Sequence, residues 1–179
     1  MTEFKNLLVF DLTKLGAAYQ IINSFVDDEV VHVFEVSPLG TSAVLILASN
    51  DIITLKFIEK ECQAFFKSDI LNMAFLENVD EKIIEAYLSQ NQTAVQKHLA
   101  IVEENSFAGA FQVANHALKQ GIHIVDFRVV RTSIPNLILT LTSDSIEILS
   151  QLAQPQQLLK LTVIENSQKP LKSYFEILT

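Results

Sequence analysis

The sequence predicts an α+β fold built from two tandem βαββαβα units, each an antiparallel-rich sheet with helices packed on it. Three observations predict it. The chain repeats itself collinearly at a spacing near 90 residues. Within each copy, apolar runs of strand length alternate with stretches whose apolar residues recur every three and four positions. Glycine and proline number only four each in 179 residues, so there is little room for long flexible linkers.

The repeat is clearest at Leu15-Gly16-Ala17-Ala18-Tyr19-Gln20-Ile21-Ile22-Asn23, which returns as Phe107-Ala108-Gly109-Ala110-Phe111-Gln112-Val113-Ala114-Asn115 at an offset of 92. The preceding runs, Leu7 to Asp11 and Leu99 to Glu103, match at the same offset. Val44 to Asn50 returns as Ile138 to Asp144 at offset 94, and Phe75 to Asn78 as Val163 to Asn166 at offset 88. Shared apolar periodicity alone would match the strands. It does not account for collinear identities such as Gln20/Gln112, Asn23/Asn115, Ser49/Ser143 and Glu77/Glu165. A duplication does. The polar stretch Ser89-Gln90-Asn91-Gln92-Thr93 is the natural joint, giving domains 1–92 and 93–179.

In each copy a short apolar run comes first, Leu7 to Phe10 in copy one, and reads as a buried strand. A helix follows with Leu15, Ala18, Tyr19, Ile22 and Val26 on one face, or Phe107, Ala110, Phe111, Ala114 and Leu118 in copy two. Gly121 ends the second of these helices by supplying a left-handed residue. Two strands come next, Val30–Val36 and Ala43–Ala48, or Ile122–Val130 and Leu137–Thr142, joined through Pro38-Leu39-Gly40 or Ser133-Ile134-Pro135. A second helix starts at Asp51 or Asp144, where Asp144 and Glu147 have capping-box spacing. Its apolar face is Ile52, Leu55, Ile58 and Cys62, or Ile148, Leu149 and Leu152. A fourth strand, Ile70–Leu76 or Leu158–Ile164, and a terminal helix, Glu81–Leu88 or Leu171–Leu178, close each copy.

The composition narrows the partners. Thirteen basic and 21 acidic residues give a formal net charge of −8. Phosphate surfaces need clustered Lys and Arg, so nucleic acid is not expected as a partner, nor is an anionic membrane. The N-terminus lacks the basic and apolar segments of a signal peptide, and no apolar stretch reaches the ~18–20 residues that span a bilayer. A cytoplasmic location is expected. Cys62 is the single cysteine, which excludes an intrachain disulfide.

The second copy resembles the bacterial microcompartment shell domain. The likeness is carried by Glu103-Glu104-Asn105-Ser106-Phe107-Ala108-Gly109-Ala110, by Ala114-Asn115-His116-Ala117-Leu118-Lys119, and by Gly121-Ile122-His123-Ile124-Val125. In that family a first strand ends in an acidic residue and is followed by a small-residue helix that ends in Ala-x-x-x-Lys. The first copy looks like a diverged version. The resemblance implies a tandem shell protein with a ferredoxin-like architecture, forming a homotrimer of six pseudo-equivalent positions, a pseudohexameric disc with a central pore. Other shell proteins would be further partners. The pore loops implied are Ser37, Pro38, Leu39, Gly40, Thr41 and Ser42 in copy one, and Arg131, Thr132, Ser133, Ile134 and Pro135 in copy two. Arg131 facing the pore would favour anionic metabolites. Lys119 would be the edge contact to a neighbouring tile, although its counterpart at offset 92 is the acid Asp27. Some tandem shell proteins hold an iron–sulfur cluster at the pore, but Cys62 lies on an apolar helix face, so no cofactor is expected.

His32, His98, His116 and His123 form no zinc-ligand spacing. Asp27-Asp28-Glu29 reads as a solvated turn or a loose cation site. Asp126 and Arg128, alternating on one strand, suggest a polar face, or an ion pair at an interface. Phe65, Phe66 and Phe75 read as core, or as an oligomer contact if exposed. G-x-S-x-G, P-loop and G-x-G-x-x-G patterns are missing. The expectation is a non-enzymatic structural subunit. The alternative is an ACT-like tandem regulatory module that binds a small effector, for which Gly16 sits slightly late in the strand-to-helix loop.

Overall fold

The computed structural model describes residues 4–131, 136–152 and 160–178. The chain packs into two compact units. The first comprises the residues up to Val79 together with Ser106–Phe111 and Arg131; the second comprises Asp80–Asn105, Gln112–Val130 and the residues from Asn136 onward.

The first unit is built on a four-stranded antiparallel sheet of order β2-β3-β1-β4. Its strands are β1 (Asn6–Leu12), β2 (His32–Leu39), β3 (Ser42–Ser49) and β4 (Ile70–Leu76), with α1 (Leu15–Phe25) after β1 and α2 (Ile52–Phe65) after β3. β1 is buried at all seven positions. A central strand with both faces covered needs a continuous apolar run, and Leu7-Leu8-Val9-Phe10 supplies one. Leu8, Phe10 and Leu12 point to the face that also packs Leu45 and Leu47 of β3, Ala17, Ala18 and Ile21 of α1, and Leu55, Ile58 and Cys62 of α2. Fully burying a side chain such as Phe10 stabilises the fold by roughly 1.5–3 kcal/mol. Leu7, Val9 and Asp11 alternate to the opposite face and are buried as well.

Helix α2 begins where the sequence signals it. The Asp51 carboxylate accepts hydrogen bonds from the backbone N–H of Ile53 at 2.9 Å and the Thr54 hydroxyl at 2.8 Å, satisfying groups that a helix N-terminus leaves without partners. Helix α1 differs: its N-cap is Lys14, which makes no side-chain cap. Tyr19, expected on the buried face of α1, is 56% exposed. The face centres on Ala17, Ala18 and Ile21, and a helix turned to bury those two alanines turns Tyr19 outward. β2 starts two residues later than expected and runs through Pro38 to Leu39, so the turn is only Gly40-Thr41, with Gly40 at φ +63°. Pro38 is tolerated because β2 is an edge strand, where a missing N–H costs no ladder bond.

The second unit repeats the sheet in the order β6-β7-β5-β8. It contains β5 (His98–Glu104), β6 (His123–Val130), β7 (Asn136–Ser143) and β8 (Lys160–Ile164). Its helices are α3 (Glu81–Tyr87), most of α4 (Phe107–Lys119), α5 (Ile146–Gln151) and α6 (Lys169–Leu178). The duplication shows in registers as well as in sequence. Asp11 pairs with Val44 and Glu103 with Ile138; β2 bulges between Val33 and Glu35, β6 between Ile124 and Asp126; Asn78 and Asn166, following β4 and β8, both have φ near +50°.

Three details of this unit refine the expectations. The cap of α5 is Ser145 rather than Asp144. The helix begins one residue later than the capping-box spacing implies, so Ser145 Oγ accepts from Ile148 N–H and donates to Glu147, while Asp144 accepts from Lys97 N–H at 3.2 Å. Two residues past the end of helix α3, Ser89 is left-handed, and the Tyr87 ring at the helix end packs edge-on against Phe127 at 5.4 Å. The Asn91 side chain, in the expected joint, donates to the Ile124 and Val125 carbonyls at the β6 bulge. The apolar cluster of Leu99, Val125 and Phe175 seats α6.

Candidate functional site

Two clusters in the first unit assemble polar groups from distant parts of the sequence. The first lies at the end of β1. Asp11 is 6% exposed, and its carboxylate accepts three hydrogen bonds: from Ser106 Oγ at 2.7 Å, Phe107 N at 2.9 Å and Ala108 N at 3.1 Å. Phe107 and Ala108 open α4, so Asp11 does for that helix what an N-cap side chain does, from 95 residues away. Ser106 Oγ in turn accepts from Gly109 N at 3.0 Å. A carboxylate at a helix N-terminus is favoured by the exposed N–H groups and the helix dipole together. Burial nevertheless pushes the Asp11 carboxyl above the ordinary carboxylate value, with the three hydrogen bonds pulling it back down. Phe107, Ala110 and Phe111 around it are fully buried.

The second cluster gathers both expected pore loops on one acid that the sequence reasoning passed over. Glu35 Oε1 accepts from Ser37 Oγ at 2.7 Å and from the Arg131 guanidinium at 2.6 Å. Arg131 also lies 5.9 Å from the Phe107 ring centre. The charge of Arg131 is thus paired with Glu35, and its side chain stays 43% exposed. Of the other predicted loop residues, Ser37, Pro38 and Leu39 belong to β2, while Gly40 and Thr41 form an exposed hairpin tip. Ser42 opens β3, and its hydroxyl donates to the Leu39 carbonyl. Thr132, Ser133, Ile134 and Pro135 lie outside the described residues.

Lys119 is the last residue of α4 and is exposed. Asp27, its counterpart by sequence, lies beyond the end of α1 in a turn, where its carboxylate accepts from Glu29 N at 3.1 Å. Asp126 and Arg128 pair with each other along β6. Cys62 is fully buried, and its thiol is pushed up to about 12 by burial and by the neighbouring Glu61, a setting that suppresses nucleophilicity. Phe65 is 72% exposed, whereas Phe66 and Phe75 pack partly against the core. No helix among the described residues is long and apolar enough to cross a membrane.

One signal for Asp11 was present in the sequence: the first strand of both copies ends in an acid, Asp11 and Glu103. Nothing local to Glu35 marks its pairing with Arg131, because that contact depends on the third dimension alone.

No protein-family model and no curated protein matches the sequence. A solved microcompartments protein from Desulfitobacterium hafniense DCB is similar over 96% of this chain and 99% of its own, with a TM-score of 0.72 and 18% identity. A mutant chlorite dismutase from Candidatus Nitrospira defluvii aligns over 99% and 97%, but at 8% identity and a TM-score of 0.32, which carries no argument about fold or chemistry. The chain thus has, over nearly its whole length, the duplicated α+β fold of that microcompartments protein.

Proposed function

We propose that the protein is a structural, non-catalytic subunit of a microcompartment-type shell, in which three copies close a disc of six pseudo-equivalent positions around a small-metabolite pore. The observation that carries this reading is the end-to-end likeness to the microcompartments protein, combined with a duplication that preserves strand register and bulge position. Two similar units per chain provide six positions from three chains. The β2–β3 hairpin tip and the segment starting at Arg131 would line the pore, and Lys119 would meet a neighbouring tile. The partners would be further copies of this chain and other shell proteins, and no cofactor is required.

Absolute mass by light scattering after size exclusion tests this. The chain is 20.1 kDa. Mass near three times that value, or sheets that pellet above it, is the expected result. A monomer or dimer across the accessible concentration range would overturn the disc.

A further inference from the structure

We propose that the start of α1 in one chain docks on Glu103 of a second copy, repeating between chains the contact that Asp11 makes with the start of α4. The proposal rests on the ring-forming reading above and names the contact that would close the ring.

Strand register makes Glu103 the counterpart of Asp11, and the repeat makes Lys14–Tyr19 the counterpart of Ser106–Phe111. The donor half of the contact is filled in one copy and open in the other. In the first unit Phe107, Ala108, Ala110 and Phe111 are at most 2% exposed. Their counterparts in α1 include the exposed Gly16 and Tyr19, and Tyr19 is 56% exposed where Phe111 is completely buried. The acceptor half shows the same imbalance. Asp11 is 6% exposed and holds three donors, whereas the Glu103 side chain is 32% exposed and meets Lys160 only at 3.6 Å.

The two open halves are complementary. Glu103 presents an acid. The start of α1 presents backbone N–H groups that no side chain caps and the positive end of the helix dipole. Lys14 stands at the position that Ser106 holds in the other repeat; its ammonium is paired with Asp69 at 2.8 Å but stays 59% exposed, so it can share its charge with a second acid. Glutamate reaches one methylene further than aspartate, which suits an approach between separate chains. One surface carrying the acceptor and a different surface carrying the donor make a head-to-tail contact, and a head-to-tail contact closes a ring when its rotation permits. The occupant is a second copy because this chain bears both halves. Tyr19 would bury there as Phe111 does.

The test is directed cross-linking in a Cys62→Ser background. Glu103→Cys and Gly16→Cys are placed on separate chains and co-expressed; a side-chain carbon added at Gly16 meets nothing within 4 Å. Oxidation should form one link in each mixed ring and so convert a substantial fraction of the chains to a species near twice 20.1 kDa on a non-reducing gel, and neither variant alone should do so. In parallel, Glu103→Lys should lower the solution mass from three chains to one while leaving the circular dichroism spectrum unchanged. If the unmodified protein has trimer mass but the mixed cysteines stay unlinked and Glu103→Lys stays trimeric, this contact is wrong and the disc stands. If the unmodified protein is monomeric and no cross-link forms, the disc and the contact fall together.

Discussion

Removing the Asp11 carboxylate tests the physical account of the first unit most directly. In Asp11→Ala, the backbone N–H groups of Phe107 and Ala108 lose their acceptor, while Ser106 Oγ–H can rotate toward other partners. A buried donor left without a partner costs about 1–3 kcal/mol. Two such donors would cost about 2–6 kcal/mol, but the variant no longer has to strip water from an ionised group, and that relief offsets part of the loss. A net destabilisation of about 2–3 kcal/mol follows, which for a chain of this size lowers Tm by about 4–12 °C. Thermal melts followed by circular dichroism at neutral pH measure it.

The same site has a pH signature. Burial raises the folded-state pKa of Asp11 above its ordinary 3.8, so between those two values the folded chain holds more protons than the unfolded chain. Stability from this group therefore falls as pH rises through that window and is regained as pH falls. The Tm advantage of the native protein over Asp11→Asn, which cannot titrate, should widen from neutral pH toward pH 4. A Tm loss in Asp11→Ala below about 2 °C, corresponding to less than about 1 kcal/mol, would refute the capping role. An advantage over Asp11→Asn that instead shrinks on acidification would show that hydrogen bonding, not burial, governs the carboxylate.

Two further substitutions probe the helix ends. Asp51→Ala should lower Tm at neutral pH. Because the bonds from Thr54 and Ile53 hold the Asp51 carboxyl below its ordinary value, the stability it lends is present above about pH 3.8 and is lost as pH falls through the depressed folded value. The gap between Asp51→Ala and the native protein should close in acid, and a gap independent of pH would remove the carboxylate from the explanation. Gly121→Ala meets no steric obstacle, yet φ is +75° there, so it should cost about 1–2 kcal/mol from backbone conformation alone; Gly121→Asn should recover part of that in urea unfolding.

Much of the fold is legible in the sequence because its signals are local. β4 spans Ile70–Leu76 as the apolar run predicts, and Asp51 and Gly121 mark helix ends through chemistry that acts within a few residues. Duplication extends that reach, since a register proposed for one copy is checked by the other. The failures come where a neighbour distant in sequence decides. Tyr19 carries the same periodic signal as Phe111, and only the packing around each separates an exposed ring from a buried one. The carboxylate that joins Ser37 to Arg131 sits inside an ordinary strand. The late start of α5 reflects a competition between two adjacent caps, Asp144 and Ser145, in which Lys97 N–H claims the aspartate.

The distance along the chain between Asp11 and the donors it holds bears on the order in which the molecule can be made. A ribosome delivers the whole β2-β3-β1-β4 sheet well before residue 106 exists. Until α4 begins to emerge, the nascent sheet must keep Asp11 hydrated and ionised, on a face that it shares with Leu7 and Val9 and with the polar Glu35, Ser37 and Asn72. Such a contact has very high sequence separation, and contacts of that kind form late and slow the closing stages of folding. The N-terminal sheet is thus a folding platform that waits for its lid to be translated, and the half-made chain exposes on that platform the surface most open to chaperones or to the wrong partner.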